Sequence, residues 1–244
     1  MRACQNPESS LASWILAYNF GNVAALCSFP YFGASGACMT DPQLPKTDKK
    51  WQLSGRDVLE LRGALIDNIS TIVVLPLKMD LKKSLQALKG IFETARSSPD
   101  VPANERYNKL CQATTAELDR FGIKASSEQT EWLHQCFQMI SNSSRTEEDI
   151  RSVEKDFHAI FAIYRRWLYR LNFCCTFYDR FAWVPESSEV GDKICIIQGA
   201  KVPFVLRQQG NGKYSLLGEC WVEGVMRGEA LSLPGFKWER ISLV

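Results

Sequence analysis

The sequence predicts an α+β fold: a central helical bundle packed against a small C-terminal antiparallel β-barrel or curled sheet, with N-terminal strands added. Three observations carry that prediction. Apolar residues recur at helical spacing through 78–172, they recur with period two from 173 onward, and Gly210-Asn211-Gly212 joins two of the period-two runs as a hairpin turn. A chain of 244 residues, 45% hydrophobic and 23% charged, is long enough to bury one core. The expected organisation is a single domain over 1–244, extended or strand-like over 1–77, helical over 78–172 and β-rich over 173–244.

The elements follow in order. Residues 11–40 are apolar and rich in Gly, Ala and Ser, with aromatics that keep no helical period, so they are expected as extended chain laid over a core. Pro42, Pro45 and a charge run to Lys50 mark an exposed loop. From Val58 to Asp67 apolar and charged side chains first alternate as in a half-buried strand, and strand continues through Ile72-Val73-Val74. Asp80 is placed to cap a helix over 79–96 whose one face carries Leu81, Leu85, Leu88 and Phe92. A weaker helix is expected over 104–119 and another from Ser126 to about Ser141. Thr146-Glu147-Glu148-Asp149 opens the strongest, running to 172, with acidic side chains at the positive end of its dipole and a wide stripe that includes Tyr164 and Trp167. Strands are expected over 173–184, 193–198, 202–207, 213–222 and 238–243.

Composition excludes several classes of function. With 29 basic and 27 acidic side chains the chain has no excess charge for a phosphate backbone, so nucleic acid is not an expected partner. Nine cysteines without a C-x-x-C pair, several of them inside apolar runs, read as reduced, buried thiols. The histidines, His134 and His158, stand apart, so no metal site is expected. The N-terminus lacks the apolar core of a signal peptide, and no apolar run reaches the roughly 20 residues needed to cross a bilayer. A cytoplasmic protein without a membrane span is expected. There is no P-loop, no nucleophile elbow and no dinucleotide fingerprint, so no cofactor is expected either.

The C-terminal third carries a specific run of motifs. Val190-Gly191-Asp192-Lys193-Ile194-Cys195 is followed by Gly199-Ala200-Lys201-Val202-Pro203-Phe204-Val205-Leu206-Arg207, then by Tyr214-Ser215-Leu216-Leu217-Gly218-Glu219-Cys220-Trp221-Val222 and Gly224-Val225-Met226-Arg227-Gly228-Glu229-Ala230. Leu11-Ala12-Ser13-Trp14, Val58-Leu59-Glu60-Leu61-Arg62-Gly63 and Ile66-Asp67-Asn68-Ile69 precede them. In order and spacing these pieces resemble the C-terminal region of fungal heterokaryon-incompatibility (HET) proteins, without the N-terminal HET domain. Trp221 and Glu223 stand where that pattern usually has Tyr and His. The resemblance implies a scaffold separated from death signalling, of a kind found beside fungal genes of secondary metabolism and biosynthesis.

Two charges in the signature, Arg207 and Glu219, fall on strands expected to face each other across a hairpin. One reading is an ion pair that closes the barrel. The other is a catalytic pair at the mouth of an apolar pocket. Tyr164, Trp167, Trp183, Trp221 and Met226 are the expected lining of such a pocket, between the 146–172 helix and the 173–243 sheet. An apolar cavity can catalyse cyclisation by holding one reactive conformer and donating a hydrogen bond to a carbonyl. The expected function is a cofactor-independent cyclase or isomerase acting on a hydrophobic natural-product intermediate, with a pericyclic step such as a Diels–Alder reaction as one form. The alternatives are a non-enzymatic interaction protein derived from the incompatibility system and a carrier of a small hydrophobic molecule. The sequence leaves the oligomeric state open.

Overall fold

The computed structural model describes residues 32–35, 51–53, 58–73, 90, 103–114, 116–117, 126–128, 131, 135 and 171–244. Nine strands lie among them: β1 (Trp51–Leu53), β2 (Leu59–Val73), β3 (Leu171–Thr176), β4 (Phe181–Pro185), β5 (Lys193–Ile197), β6 (Phe204–Gln208), β7 (Tyr214–Glu219), β8 (Trp221–Val222) and β9 (Glu239–Leu243). The α-helix described from end to end is α1 (Ala103–Thr114).

β2 organises the molecule. It is 15 residues long and joins two sheets. Its first part pairs with β5 on one side and β9 on the other, and the order β5-β6-β7-β9-β2 then closes on itself through β5–β2. The weakest seam is β7 against β9, a parallel contact at Tyr214 and Leu243. Beyond Asn68 the strand leaves the barrel and pairs with β3, which continues the sheet to β4 and β8. Register shifts between Leu65 and Asp67 and between Ile69 and Thr71 bracket this crossing, as bulges do where a strand turns from one sheet into another.

Strand alternation fills two separate cores. On β5, Cys195 points into the barrel with Leu61, Leu206, Ile241 and Leu243. Ile194 and Ile196 point the other way and pack with Val205, Cys174, Ala182, Val184 and Val222, between the barrel and the β3-β4-β8 sheet. Each fully buried aliphatic side chain contributes roughly 1.5–3 kcal/mol. The barrel is narrow: a Cβ added at Gly63 would lie 2.9 Å from Cys195 Sγ and 3.0 Å from Ile241 Cγ1.

The second face of the β3-β4-β8 sheet is covered by α1, which buries Arg106, Leu110, Ala113 and Thr114 along one stripe. The helix ends where Ala116 (φ 52°) and Glu117 (φ 59°) turn left-handed and Glu117 N–H returns to the Gln112 carbonyl at 3.0 Å. A short N-terminal piece lies across the other end of the sheet, where Gly33 N–H donates to Met226 O (2.7 Å) and Ala34 N–H to Lys201 O (2.9 Å).

The expectation of a central helical bundle is corrected. Among the described residues the core is strand on strand, because both faces of β5 and β6 are apolar and β2 closes the barrel around one of them. The helices expected over 79–96, 126–141 and 146–172 fall almost wholly outside the described residues. The strand expected over 173–184 is two strands, β3 and β4, joined by a turn at Phe177–Arg180. Strand is unbroken from Leu59 to Val73, along the stretch where strand was expected. At the β6–β7 connection Asn211 (φ 63°) and Gly212 (φ 70°) take up the left-handed turn. Among the described residues no helix is long and apolar enough to cross a membrane.

Candidate functional site

The face of the β3-β4-β8 sheet under α1 is an aromatic layer. Phe173 is paired with Trp183, and Trp183 with Trp221, across neighbouring strands, so the three rings share one face. Phe173 and Trp183 meet edge-on with centroids 5.1 Å apart, and Phe181 lies 5.7 Å from Phe173. Arg106 of α1 sets its guanidinium over the Phe181 ring at 5.2 Å. All four rings are buried.

The two indoles of this layer differ in one respect. Trp183 Nε1–H donates to the Ala113 carbonyl at 2.7 Å, satisfying an end group of α1. Trp221 is equally buried, but its Nε1–H has no acceptor among the described residues. A buried donor left unpaired costs about 1–3 kcal/mol. Beside it, Met226 offers its sulfur to Val222 N–H at 3.3 Å. Glu223 accepts from Phe181 N–H at 3.3 Å and lies 3.9 Å from Lys109. Burial pushes the Glu223 carboxyl above its ordinary value, with the Phe181 N–H and the cations Lys109, Arg180 and Arg106 opposing. The thiols nearby are held neutral by burial: Cys174 and Cys220 are raised well above the usual thiol value, and Cys195 in the barrel is pushed up to about 12.

The structure does not bring Arg207 and Glu219 together. Arg207 stands opposite Ser215 in the β6–β7 ladder, whereas Glu219 stands opposite Phe204 at its far end. Arg207 instead clamps Asp192 with two bonds, Nε to Oδ1 at 3.0 Å and Nη2 to Oδ2 at 2.9 Å, donates to Ser187 O at 2.8 Å and pairs with Glu189 at 3.2 Å. Asp192 also accepts the Glu189 N–H at 2.8 Å. The clamp fixes the turn that enters β5, and the bonds to Asp192 raise the Arg207 pKa further. Of the expected lining, Trp183, Trp221 and Met226 lie at the β4–β8 edge of the sheet, whereas Tyr164 and Trp167 lie outside the described residues.

Sequence reasoning missed a buried polar network at the β3–β4 turn. Asp67, buried, accepts from Thr176 Oγ1 at 2.6 Å, from its neighbour Asn68 N–H at 2.8 Å and from Tyr178 N–H at 3.3 Å, with Arg180 Nε at 3.9 Å. Arg180 reaches on to the carbonyls of Glu223 and Gly224 at 3.3 and 3.4 Å, and Arg106 to Asp179 at 3.4 Å. The one signal in the sequence is a carboxylate inside the apolar run Ala64-Leu65-Ile66-Asp67, since buried charges occur almost only with partners.

Residues 178–233 match the family model of the Het-6 β-barrel domain, which supports a relationship of the C-terminal region to the heterokaryon-incompatibility family. The match runs from the β3–β4 turn past β8 to the short helical turn at Glu229–Ser232, and so contains Trp183, Arg207, Glu219, Trp221 and Met226, but not β2 or β9, which complete the barrel. No curated protein and no solved structure matches the chain.

Proposed function

For a chain whose C-terminal region is related to the heterokaryon-incompatibility family, we propose binding of a hydrophobic small molecule that carries a hydrogen-bond acceptor. In this reading the chain acts on it as a cofactor-independent cyclase or isomerase of secondary metabolism. One observation carries the reading: Trp221 keeps a wholly buried indole N–H without an acceptor among the described residues, in a layer of aromatic rings. A carbonyl oxygen there would accept that bond. As negative charge builds on the oxygen during ring closure or isomerisation the bond strengthens, and one such preorganised donor lowers a barrier by about 2.7–4 kcal/mol in the best cases. The surrounding rings would hold the remainder of the molecule in one conformer. Arg207, committed to Asp192, takes no part.

The test is incubation with polyene and terpenoid ketones, comparing product ratio with buffer and with Trp221→Phe. Enrichment of one cyclised or isomerised product that Trp221→Phe abolishes supports the proposal. Binding without any change in product would make the chain a carrier. Product ratios equal to buffer, with no binding, would overturn it.

A further inference from the structure

The large hydrophobic side chains most exposed among the described residues are Phe177 (71%), Tyr178 (67%) and Val190 (64%). They sit on two turns anchored to the same point of β2. Phe177 N–H donates to Asn68 O at 2.8 Å on one side, and Gly191 N–H donates to Ile69 O at 2.9 Å on the other. Strands lie roughly 4.8 Å apart, so the two turns flank β2 at about 10 Å from each other.

The first turn is built to hold its rings out. Asp67 takes the Tyr178 N–H from below, Thr176 O takes the Asp179 N–H at 3.1 Å, and Thr176 Oγ1 takes the Arg180 N–H at 3.1 Å. Asp179 adopts φ 59° and is gripped by Arg106. The rings of Phe177 and Tyr178 meet edge-on at 5.6 Å. An apolar pair fixed in this way loses little conformational freedom on binding, which favours it as an anchor.

Charge selects the occupant. The carboxylates of the two turns face water, Asp179 at 47% and Glu189 at 73% exposed, whereas of their cationic partners Arg106 is buried at 6% and Arg207 half-buried at 29%. Glu186 is exposed as well. Because the carboxylates stand outermost over their arginine partners, the charge an approaching surface meets first is negative, which disfavours an anionic membrane or a second copy of the same face. We propose that Phe177, Tyr178 and Val190 form a docking surface for an apolar, basic segment of a partner protein, with Lys or Arg flanking its apolar anchor. This surface is separate from the layer around Trp221, so either assignment can fail alone.

The probes are two dye-labelled peptides of equal length, one of alternating Leu and Lys and one of alternating Leu and Glu, read by fluorescence anisotropy against the full chain. The Leu-Lys peptide should bind. Phe177→Ser with Tyr178→Ser should weaken it at least about tenfold, and Glu189→Gln should weaken it several-fold. Raising salt from about 0.05 to about 0.5 M should loosen it as screening sets in. The unfolding transition of the double variant should stay within a few degrees of the parent, because both rings are exposed. Equal binding of the two peptides, or unchanged affinity in the double variant, overturns the proposal. So does loss, in that variant, of binding to phosphatidylcholine–phosphatidylserine vesicles or of a dimer seen by light scattering.

Discussion

Changing Trp221 and Trp183 to Phe, one at a time, separates the two indoles by the single feature that distinguishes them. Each change removes three heavy atoms of a ring from the same buried layer, a loss of roughly 2 kcal/mol at about 0.8 kcal/mol per buried carbon. In Trp221→Phe that loss is offset by removal of a donor unpaired among the described residues, worth about 1–3 kcal/mol, so net stability should change by no more than about 1 kcal/mol. In Trp183→Phe the Ala113 carbonyl loses its 2.7 Å partner, which adds a cost of about 1–3 kcal/mol to the ring loss, for roughly 3–5 kcal/mol in total. The pair should differ by at least about 2 kcal/mol, or roughly 4–8 °C in Tm for a chain of this size. Urea and thermal unfolding followed by circular dichroism read both. Equal destabilisation of the two variants would mean that the Trp221 N–H has an acceptor in the native protein, and the reasoning would fail.

Three further outcomes follow from other parts of the molecule. Arg207→Ala leaves the buried Asp192 carboxylate without its two-bonded partner and should cost about 2–3 kcal/mol in urea unfolding, with Arg207→Lys recovering only part because a single ammonium cannot make the fork. An Arg207→Ala protein of parental stability would return Arg207 to the list of functional groups. Gly63→Ala drives a methyl into Cys195 and Ile241 inside the barrel and should destabilise by about 1–3 kcal/mol, whereas an unchanged midpoint would show the barrel wider than described. Burial raises the Glu223 pKa above its ordinary 4.5, so its contribution to stability is full below that value and is lost as pH rises through the folded pKa. Glu223→Gln has no such loss, and the Tm of the variant relative to the parent should therefore climb between about pH 4 and pH 7. A relative Tm that falls over that range would mean the carboxylate is favoured in the fold.

What the sequence disclosed and what it hid divide along physical lines. Short apolar runs bounded by turn residues located β5, β6, β7 and β9 to within a residue or two at most ends, because that signal is local, although β5 and β6 bury both faces. The run of β2 was legible as strand from Val58 through Val74, but the partners of its Asp67 were not: the carboxylate is buried on Thr176 and the backbone around it. A small barrel or curled sheet was expected, but that β2 closes it was hidden, since closure depends on β2 pairing with both β5 and β9 across more than a hundred residues of sequence. Trp183, Trp221 and Met226 were named from their composition and strand position, and they do lie close together at the β4–β8 edge. The Arg207–Glu219 pairing failed because the hairpin register carries a bulge and the two residues sit at opposite ends of the ladder. Asp192 is both a residue of the turn that enters β5 and the partner of Arg207.

The claim that Trp221 holds a free donor for a ligand is tested most directly by its own indole signal. In a ¹⁵N–¹H spectrum of the whole protein, the indole peak missing from Trp221→Phe identifies Trp221 among the 7 tryptophans. Titration with β-ionone, a hydrophobic terpenoid ketone, should move that peak downfield as the N–H gains an acceptor, while the Trp183 peak, already bonded to Ala113, stays in place. A Trp221 indole proton that is already downfield in the free protein and unmoved at saturating ketone would contradict the account.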